Sequence, residues 1–345
     1  MAQIDKPNLH FTTKLYTGTG SSNAITGGGF QPDWVWGKQR SGTNSYELYD
    51  AVRGVNKIIY SDLTDAEGTN SNGVSAFNAD GFTVAGNTSI NLSGQTVVAW
   101  NWKANGAGSS NYDGSITSTV SANTTAGFSI VKWTGTGANA TVGHGLGSAL
   151  DFIIVKNRDT TNQWCIYNRP RGATKFIHLD ATDSESTASS VWNNTEPTSS
   201  VFSVGVSALT NGSSNSMIAY CFAEKKGYSK FGSYTGNGNA DGTFIYTGFK
   251  PALIIFKRAD STGFWRIVDN KRDVDNVAHH FLFANDSSVE STTVGSSQYD
   301  TDILSNGFKI RTTLASSNAS GGTFIYMAFA ENPIVGSNNI PTTAK

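Results

Sequence analysis

The chain has 345 residues, 37 of them glycine and only 15% charged, with a net charge of −1 at pH 7. Globular proteins average about 25% charged residues, so here Ser, Thr, Asn and Gly fill places that Lys and Glu usually take. That balance excludes long exposed helices, supplies no basic field for a nucleic-acid backbone and, at 38% apolar and 11% aromatic, excludes general disorder.

From the N-terminus, no apolar run follows Lys6, so a conventional secretory signal is not expected. No stretch approaches the roughly 18 apolar residues of a membrane span. The expectation is a chain made in the cytoplasm of its host, without membrane insertion. The first patterned block is Tyr16-Thr-Gly-Thr-Gly20, and it returns as Trp133-Thr-Gly-Thr-Gly137 and Tyr234-Thr-Gly-Asn-Gly238. Next comes a short apolar run, Asp33-Trp-Val-Trp-Gly-Lys38. Its counterparts are Asp151-Phe-Ile-Ile-Val-Lys156 and Ala252-Leu-Ile-Ile-Phe-Lys257.

Behind the first lysine follow Arg40, Tyr46, Tyr49, Asp50, Arg53 and Gly54. At a constant offset these become Arg158, Trp164, Tyr167, Asn168, Arg171 and Gly172. A second constant offset leads to Ala259, Trp265, Val268, Asp269, Arg272 and Asp273. A third block closes each copy: Val97-Val-Ala-Trp-Asn-Trp102, Met217-Ile-Ala-Tyr-Cys-Phe222 and Phe324-Ile-Tyr-Met-Ala-Phe329. Three blocks in one order at one spacing define a tandem repeat of about 100 residues.

Short apolar runs bounded by turn residues read as buried strands, and the Gly/Asn/Ser/Thr clusters between them read as turns. The pattern predicts an all-β chain of three tandem antiparallel β-sandwich or jelly-roll repeats, with six to nine strands each. The Gly-x-Gly steps at Gly18 and Gly135 read as hairpin turns. Thr64–Glu67 and Asp183–Glu185 read as short helical turns. The units run 1–103, 128–225 and 226–332. Residues 104–127, poor in apolar residues and rich in Gly, Ser, Thr and Asn, read as a linker or an extended arm, and 333–345 as a C-terminal tail.

Candidate chemistry is sparse. Among His10, His144, His178, His279 and His280 there is no ligand spacing for a metal. No nucleophile elbow surrounds any serine. Asp50 and Asp269 match Asn168, and a position that accepts Asp and Asn points to a structural hydrogen bond rather than to acid catalysis. Cys165 and Cys221 form one bridge or remain buried thiols. Neither a catalytic residue, a metal ligand nor a cofactor is expected, and the chain reads as non-enzymatic. The retained Lys38, Lys156 and Lys257, with Arg53, Arg171 and Arg272 fifteen residues on, read as structural contacts within each sandwich. Among the aromatics, Trp192, Trp164 and Trp265 are the candidate glycan platform.

The segments Ala126–Gly137 and Glu224–Gly238, with the Lys-x-Arg…Trp pattern and Asn306-Gly-Phe308…Ile325-Tyr-Met-Ala-Phe-Ala-Glu331, resemble repeats in marine bacteriophage structural proteins, cyanophage tail fibres among them. The resemblance runs from about Phe11 to Glu331. It implies a virion component with lectin-like β-sandwiches, on the tail or capsid surface, that contacts other virion proteins and associates as a homo-oligomer, a trimer above all. The role it implies first is a tail-fibre or receptor-binding protein attaching to host-surface glycans. The alternative is a capsid-surface decoration, knob or fibre, and the remote alternative a glycan-degrading tailspike.

Overall fold

The computed structural model describes residues 4–291 and 300–332. Its sheets pair antiparallel throughout, and the chain is all-β. Each repeat places four strands in the same order. In the first unit the opening strand Phe11–Thr17 lies beside the closing strand Thr96–Trp102, followed by the lysine strand Trp34–Gln39 and the aspartate strand Glu47–Asp50. The second unit repeats the order with Phe128–Thr134, Ser216–Phe222, Phe152–Asn157 and Cys165–Asn168. The third does so with Ser229–Thr235, Thr323–Phe329, Leu253–Arg258 and Arg266–Asp269. A smaller sheet covers one face of each: Asn23–Ile25, Gly81–Val84 and Val74–Asn78 in unit one, Ala140–Gly143 and Val201–Val204 in unit two, and Phe244–Tyr246, Gly307–Ile310 and Thr301–Leu304 in unit three.

Alternation along the closing strands assigns the two faces. Val97 and Ala99, Met217 and Ala219, and Phe324 and Tyr326 point into the cores of their own sandwiches. Trp100 and Trp102, Tyr220 and Phe222, and Met327 and Phe329 point the other way, into one core shared by all three units. Trp34 stacks on Tyr220 at 4.2 Å between ring centroids, Phe11 on Phe329 at 5.6 Å, and Phe222 meets Phe329 at 5.7 Å. A strand buried on both faces has no polar side to show. This is why the runs read as continuous rather than alternating.

The three units close into a ring, and the retained lysines stitch it. Lys38 donates from Nζ to the Gly42 carbonyl in its own unit (2.9 Å) and to the Ser287 carbonyl of unit three (3.0 Å). Lys156 bonds the Asn162 carbonyl and the Thr64 carbonyl of unit one (2.7 Å). Lys257 bonds the Gly263 carbonyl and the Thr182 carbonyl of unit two (3.0 Å). All three side chains are buried. The segments they grip are arms that cross to the neighbouring unit, pinned by Glu67 N to Arg158 O, Glu185 N to Ala259 O and Glu290 N to Arg40 O. The contacts expected within each sandwich therefore also join each sandwich to the next.

Three expectations need correction. Residues 104–127 are not a linker: Ser109–Asn111 and Ser118–Asn123 are strands that extend the second unit's large sheet through Phe128–Thr134. Thr64–Glu67 and Asp183–Glu185 form no helical turn, because their backbone bonds go to the neighbouring unit. The short helices lie instead at Ser189–Trp192, Ala208–Asn211 and Ala315–Asn318. The Gly-x-Gly steps are not hairpins, since the strands they join belong to different sheets; they are corners. A Cβ on Gly18 would sit 2.2 Å from the Leu92 carbonyl oxygen, and Gly20 has φ +69°. The segment 333–345, read as a tail, lies outside the described residues.

Candidate ligand-binding cleft

The tryptophans proposed as a glycan platform are buried. Trp164 and Trp265 are fully enclosed in the shared core, where their indole N–H groups donate to Tyr60 O (2.8 Å) and His178 O (2.7 Å) of the preceding unit. Trp192 is 2% exposed and packs edge-on against Tyr167 within the second sandwich. A ring with no free face cannot stack on a sugar, so none of the three serves as a platform in this fold. Each is large enough to fill a core layer, and that outweighed the single polar atom it had to bury.

The arginines divide into two classes. Asp50 is fully buried; its Oδ1 accepts from Val52 N and Arg53 N, and its Oδ2 accepts from Arg53 Nε and from the Tyr220 hydroxyl of unit two (2.8 Å). Asp269 repeats this with Lys271 N, Arg272 N, Arg272 Nε (2.6 Å) and the Trp100 indole N–H of unit one (3.0 Å). Next to each pair stands a glutamate shared with the neighbouring unit. Glu67 accepts from Arg53 (3.3 Å) and from Arg158 twice (2.8 Å each). Glu290 accepts from Arg272 (3.0 Å) and Arg40 (2.9 Å). The Arg158 and Arg53 guanidiniums hold the Glu67 carboxyl below its usual range, against the opposing effect of burial. At the third interface the counterparts are Asn168, Met327 and Ala259. Arg171 there turns to Glu185 (2.6 and 2.7 Å) and leaves Asn168 alone.

Cys165 and Cys221 are free buried thiols, and burial pushes both thiols up from their ordinary range. His144 is buried, with its backbone N–H donating to Ser200 O, and His280 pairs with Asp273 (2.6 Å). Among the described residues no group of three metal-binding side chains converges.

The largest cleft among those described lies on the second unit and has a volume of about 370 Å³. It is lined by Ser110, Thr117, Ser118, Thr119, Lys132, Trp133, Thr134, Arg158 and Ser216. The strand register explains the grouping. Ser110 lies opposite Thr119, Thr119 opposite Lys132, and Thr134 opposite Ser216, whose carbonyl accepts from Arg158 N. Residues two apart on a strand share a face, so Thr117 with Thr119 and Lys132 with Thr134 form neighbouring rows. Lys132 reaches to the Val52 carbonyl of unit one (3.1 Å), which places the cleft at the seam of units one and two. Beneath it the Trp133 indole nitrogen is buried and unpartnered.

Hydroxyls that both donate and accept, with Lys132 as the cation and Arg158 held by Glu67 behind the lining, make a surface for a hydroxyl-rich or anionic ligand. The wall is built by the very segment that reads as a linker. Its signal was the alternation of buried Ile116, Ser118 and Val120 with Thr117 and Thr119, masked because a serine holds one of the inward places.

A protein family described only as a domain of unknown function, DUF7483, matches residues 6–333. The chain belongs to that family. The match runs through all three units, so the ring as a whole, rather than one repeat, is what the family describes. No curated protein matches the chain.

A second retained device completes the corners. Asn91, Asn211 and Asn318 are fully buried, and each accepts through Oδ1 from the backbone N–H of the third residue of the Thr-Gly-x-Gly block: Thr19, Thr136 and Asn237. Their backbone carbonyls accept from Gly20, Gly137 and Gly238. Sequence reasoning passed over these asparagines, although each stands six residues ahead of a closing block.

Proposed function

We propose that this chain is a non-enzymatic virion structural protein that attaches to host-surface glycans, in the manner of a tail-fibre or receptor-binding protein. The observation that carries this reading is the hydroxyl-lined cleft on unit two, at its seam with unit one, which joins Ser110, Thr119, Lys132 and Ser216 on one sheet face. Sugar hydroxyls pair with such side chains as both donors and acceptors, and Lys132, which donates to the Val52 carbonyl, favours carboxylated or sulfated saccharides, whereas Arg158 is already paired with Glu67. A site on paired strands over a shared core is held in place without ordering loops, so little entropy is lost on binding. The resemblance of the repeats to marine phage proteins supports the virion setting. In this reading the ring works as a homo-oligomer, alongside other virion proteins.

A glycan array probed with the full chain tests the reading. Binding to acidic glycans, weakened about tenfold by Lys132→Ala or by Thr119→Val, is the expected result; each change removes about 1–1.5 kcal/mol of hydrogen bonding or charge. Equal signal from the variants, or none from the parent, refutes it. A second reading, a capsid-surface decoration, is favoured by the ring itself, because three similar units around one core match a threefold position on a particle. Copies per particle separate the two. A few copies at the tail support adhesion, and many over the head support decoration.

A further inference from the structure

The small sheet of unit three turns one face to its own core and the other to solvent. Ile245 on strand Phe244–Tyr246 and Phe308 on strand Gly307–Ile310 point inward and are buried. Phe244 and Tyr246, on either side of Ile245, therefore point outward, and they are 44% and 64% exposed. Among the described residues neither ring packs on another aromatic ring, and the Tyr246 hydroxyl bonds no protein group. Glycines let both rings lie close to the backbone. A Cβ on Gly307 would sit 3.0 Å from Phe244 Cε2, and one on Gly248 would sit 3.5 Å from the Tyr246 hydroxyl. The register puts the same outward positions of the other units at Ala24 and Thr26, and at Thr141 and Gly143. The sandwich accepts small residues there, so the two rings are peculiar to unit three and not a need of the fold.

Charged groups border the rings. Lys309 lies opposite Phe244 on the next strand and Asp302 lies opposite Lys309, so the three share the outward face. Asp241 Oδ1 accepts from Lys309 Nζ (2.6 Å) and from Arg311 Nη1 (3.0 Å). The Asp241 side chain is 73% exposed, and its Oδ2 has no partner among the described residues.

We propose that this face binds a neutral pyranose, its ring stacked on Phe244 and Tyr246 and its hydroxyls on Asp241 and Lys309. This rests on the reading of the chain as a glycan-binding protein, and it adds a site of different chemistry from the cleft at Lys132. A pyranose presents a C–H face, which suits the negative face of an aromatic ring. Its hydroxyls donate to a carboxylate oxygen and accept from an ammonium. Lys309 and Arg311 are balanced by Asp241 and Asp302, so the face carries no net charge to select an anion. Two rings and a short charged row fall far below the roughly 800 Å² that each partner of a stable protein interface buries, which favours a sugar over a protein.

The test uses the full chain with the methyl glycosides of glucose, galactose and mannose, and with sorbitol, which has hydroxyls but no rigid ring. Saturation-transfer NMR and NMR titration read the binding. The best glycoside is expected to bind at least about tenfold tighter than sorbitol, with the strongest saturation on ring C–H protons of one face. Phe244→Thr and Tyr246→Thr install residues found at these positions in the other units, so both are expected to fold; each weakens binding about tenfold. Phe244→Tyr keeps a ring and retains binding within about twofold. Equal affinity for sorbitol, or unchanged affinity in the double threonine variant, overturns the proposal. So does a parent oligomer, seen by analytical ultracentrifugation, that the double variant dissociates, since the face would then be a contact between copies. Array binding that is lost in Lys132→Ala but unchanged in the double variant leaves the glycan-binding reading standing and removes this site alone.

Discussion

Replacing Asp50 by Asn tests whether the buried charge nodes hold the ring closed. Asp50 and Arg53 each have fully buried side chains, and the carboxylate accepts two backbone N–H groups, the Arg53 Nε and the Tyr220 hydroxyl of the next unit. The amide keeps the shape and loses the charge. It also turns one acceptor into a donor that faces Arg53 or Tyr220. Removing one member of a buried pair costs about 3–5 kcal/mol, mostly because the other charge stays buried. Glu67, at 3.3 Å from Arg53 and shared with Arg158, offsets only part of that. For a chain of this size the unfolding entropy is about 0.7 kcal/mol/K, so the melting temperature should fall by roughly 4–7 °C. Calorimetry, with urea unfolding followed by tryptophan fluorescence, measures it. Unit two already carries the amide at Asn168, but there the arginine has moved to Glu185, with 30% of its side chain exposed. The parallel change Asp269→Asn should match Asp50→Asn. A loss below about 1 kcal/mol in both would refute the view that these nodes fasten the ring.

Lys156→Met should destabilise by about 2–4 kcal/mol, since it leaves the Thr64 and Asn162 carbonyls without their buried donor; chemical denaturation measures it, and a neutral result would sink the stitching role. Desolvation holds the Lys257 ammonium down at about 8 in the fold, against about 10.4 when unfolded. Between those values the unfolded chain binds more protons, so this group's contribution to stability rises with pH. The stability of the parent minus that of Lys257→Met should therefore grow from pH 7.5 to 9.5, and a constant difference would contradict the assignment. Asn211→Ala should cost about 2–4 kcal/mol by stranding Thr136 N and leaving a small void at the corner, whereas Asn105→Ala, at an exposed position, should cost far less; thermal melts of the two compare them. The buried thiols of Cys165 and Cys221 should react with a disulfide reagent only on unfolding; two fast-reacting thiols in the native chain would show that the second sandwich is open.

Of the fold, the sequence carried the repeat, the strands and their order, because those depend on local spacing. Lys38, Lys156 and Lys257 were visible as retained charges at the ends of apolar runs, and the Asp50/Asn168/Asp269 exchange already pointed to a structural hydrogen bond. Their partners were not visible: Ser287, Thr64 and Thr182 lie in other units, and a backbone carbonyl leaves no residue signature. The tryptophans misled for a related reason. A ring that faces a core shared by three units looks, in one repeat, like a ring without a partner. Ser118 and Thr119 misled by polarity, because pairing with Ser109–Asn111 and with Phe128–Thr134 satisfies the strand backbone whatever its side chains.

The sequence by itself determined that three copies of one β unit would form, since alternation, turn residues and repeat spacing act over a few residues at a time. Only the tertiary structure decided that the three share one aromatic core and grip one another in a ring. It also decided that Ser110, Thr119, Lys132 and Arg158 meet in a cleft and that Asn168 is left unpaired. Those juxtapositions join residues far apart in the chain, and they exist only once burial of both faces of each large sheet has drawn the units together.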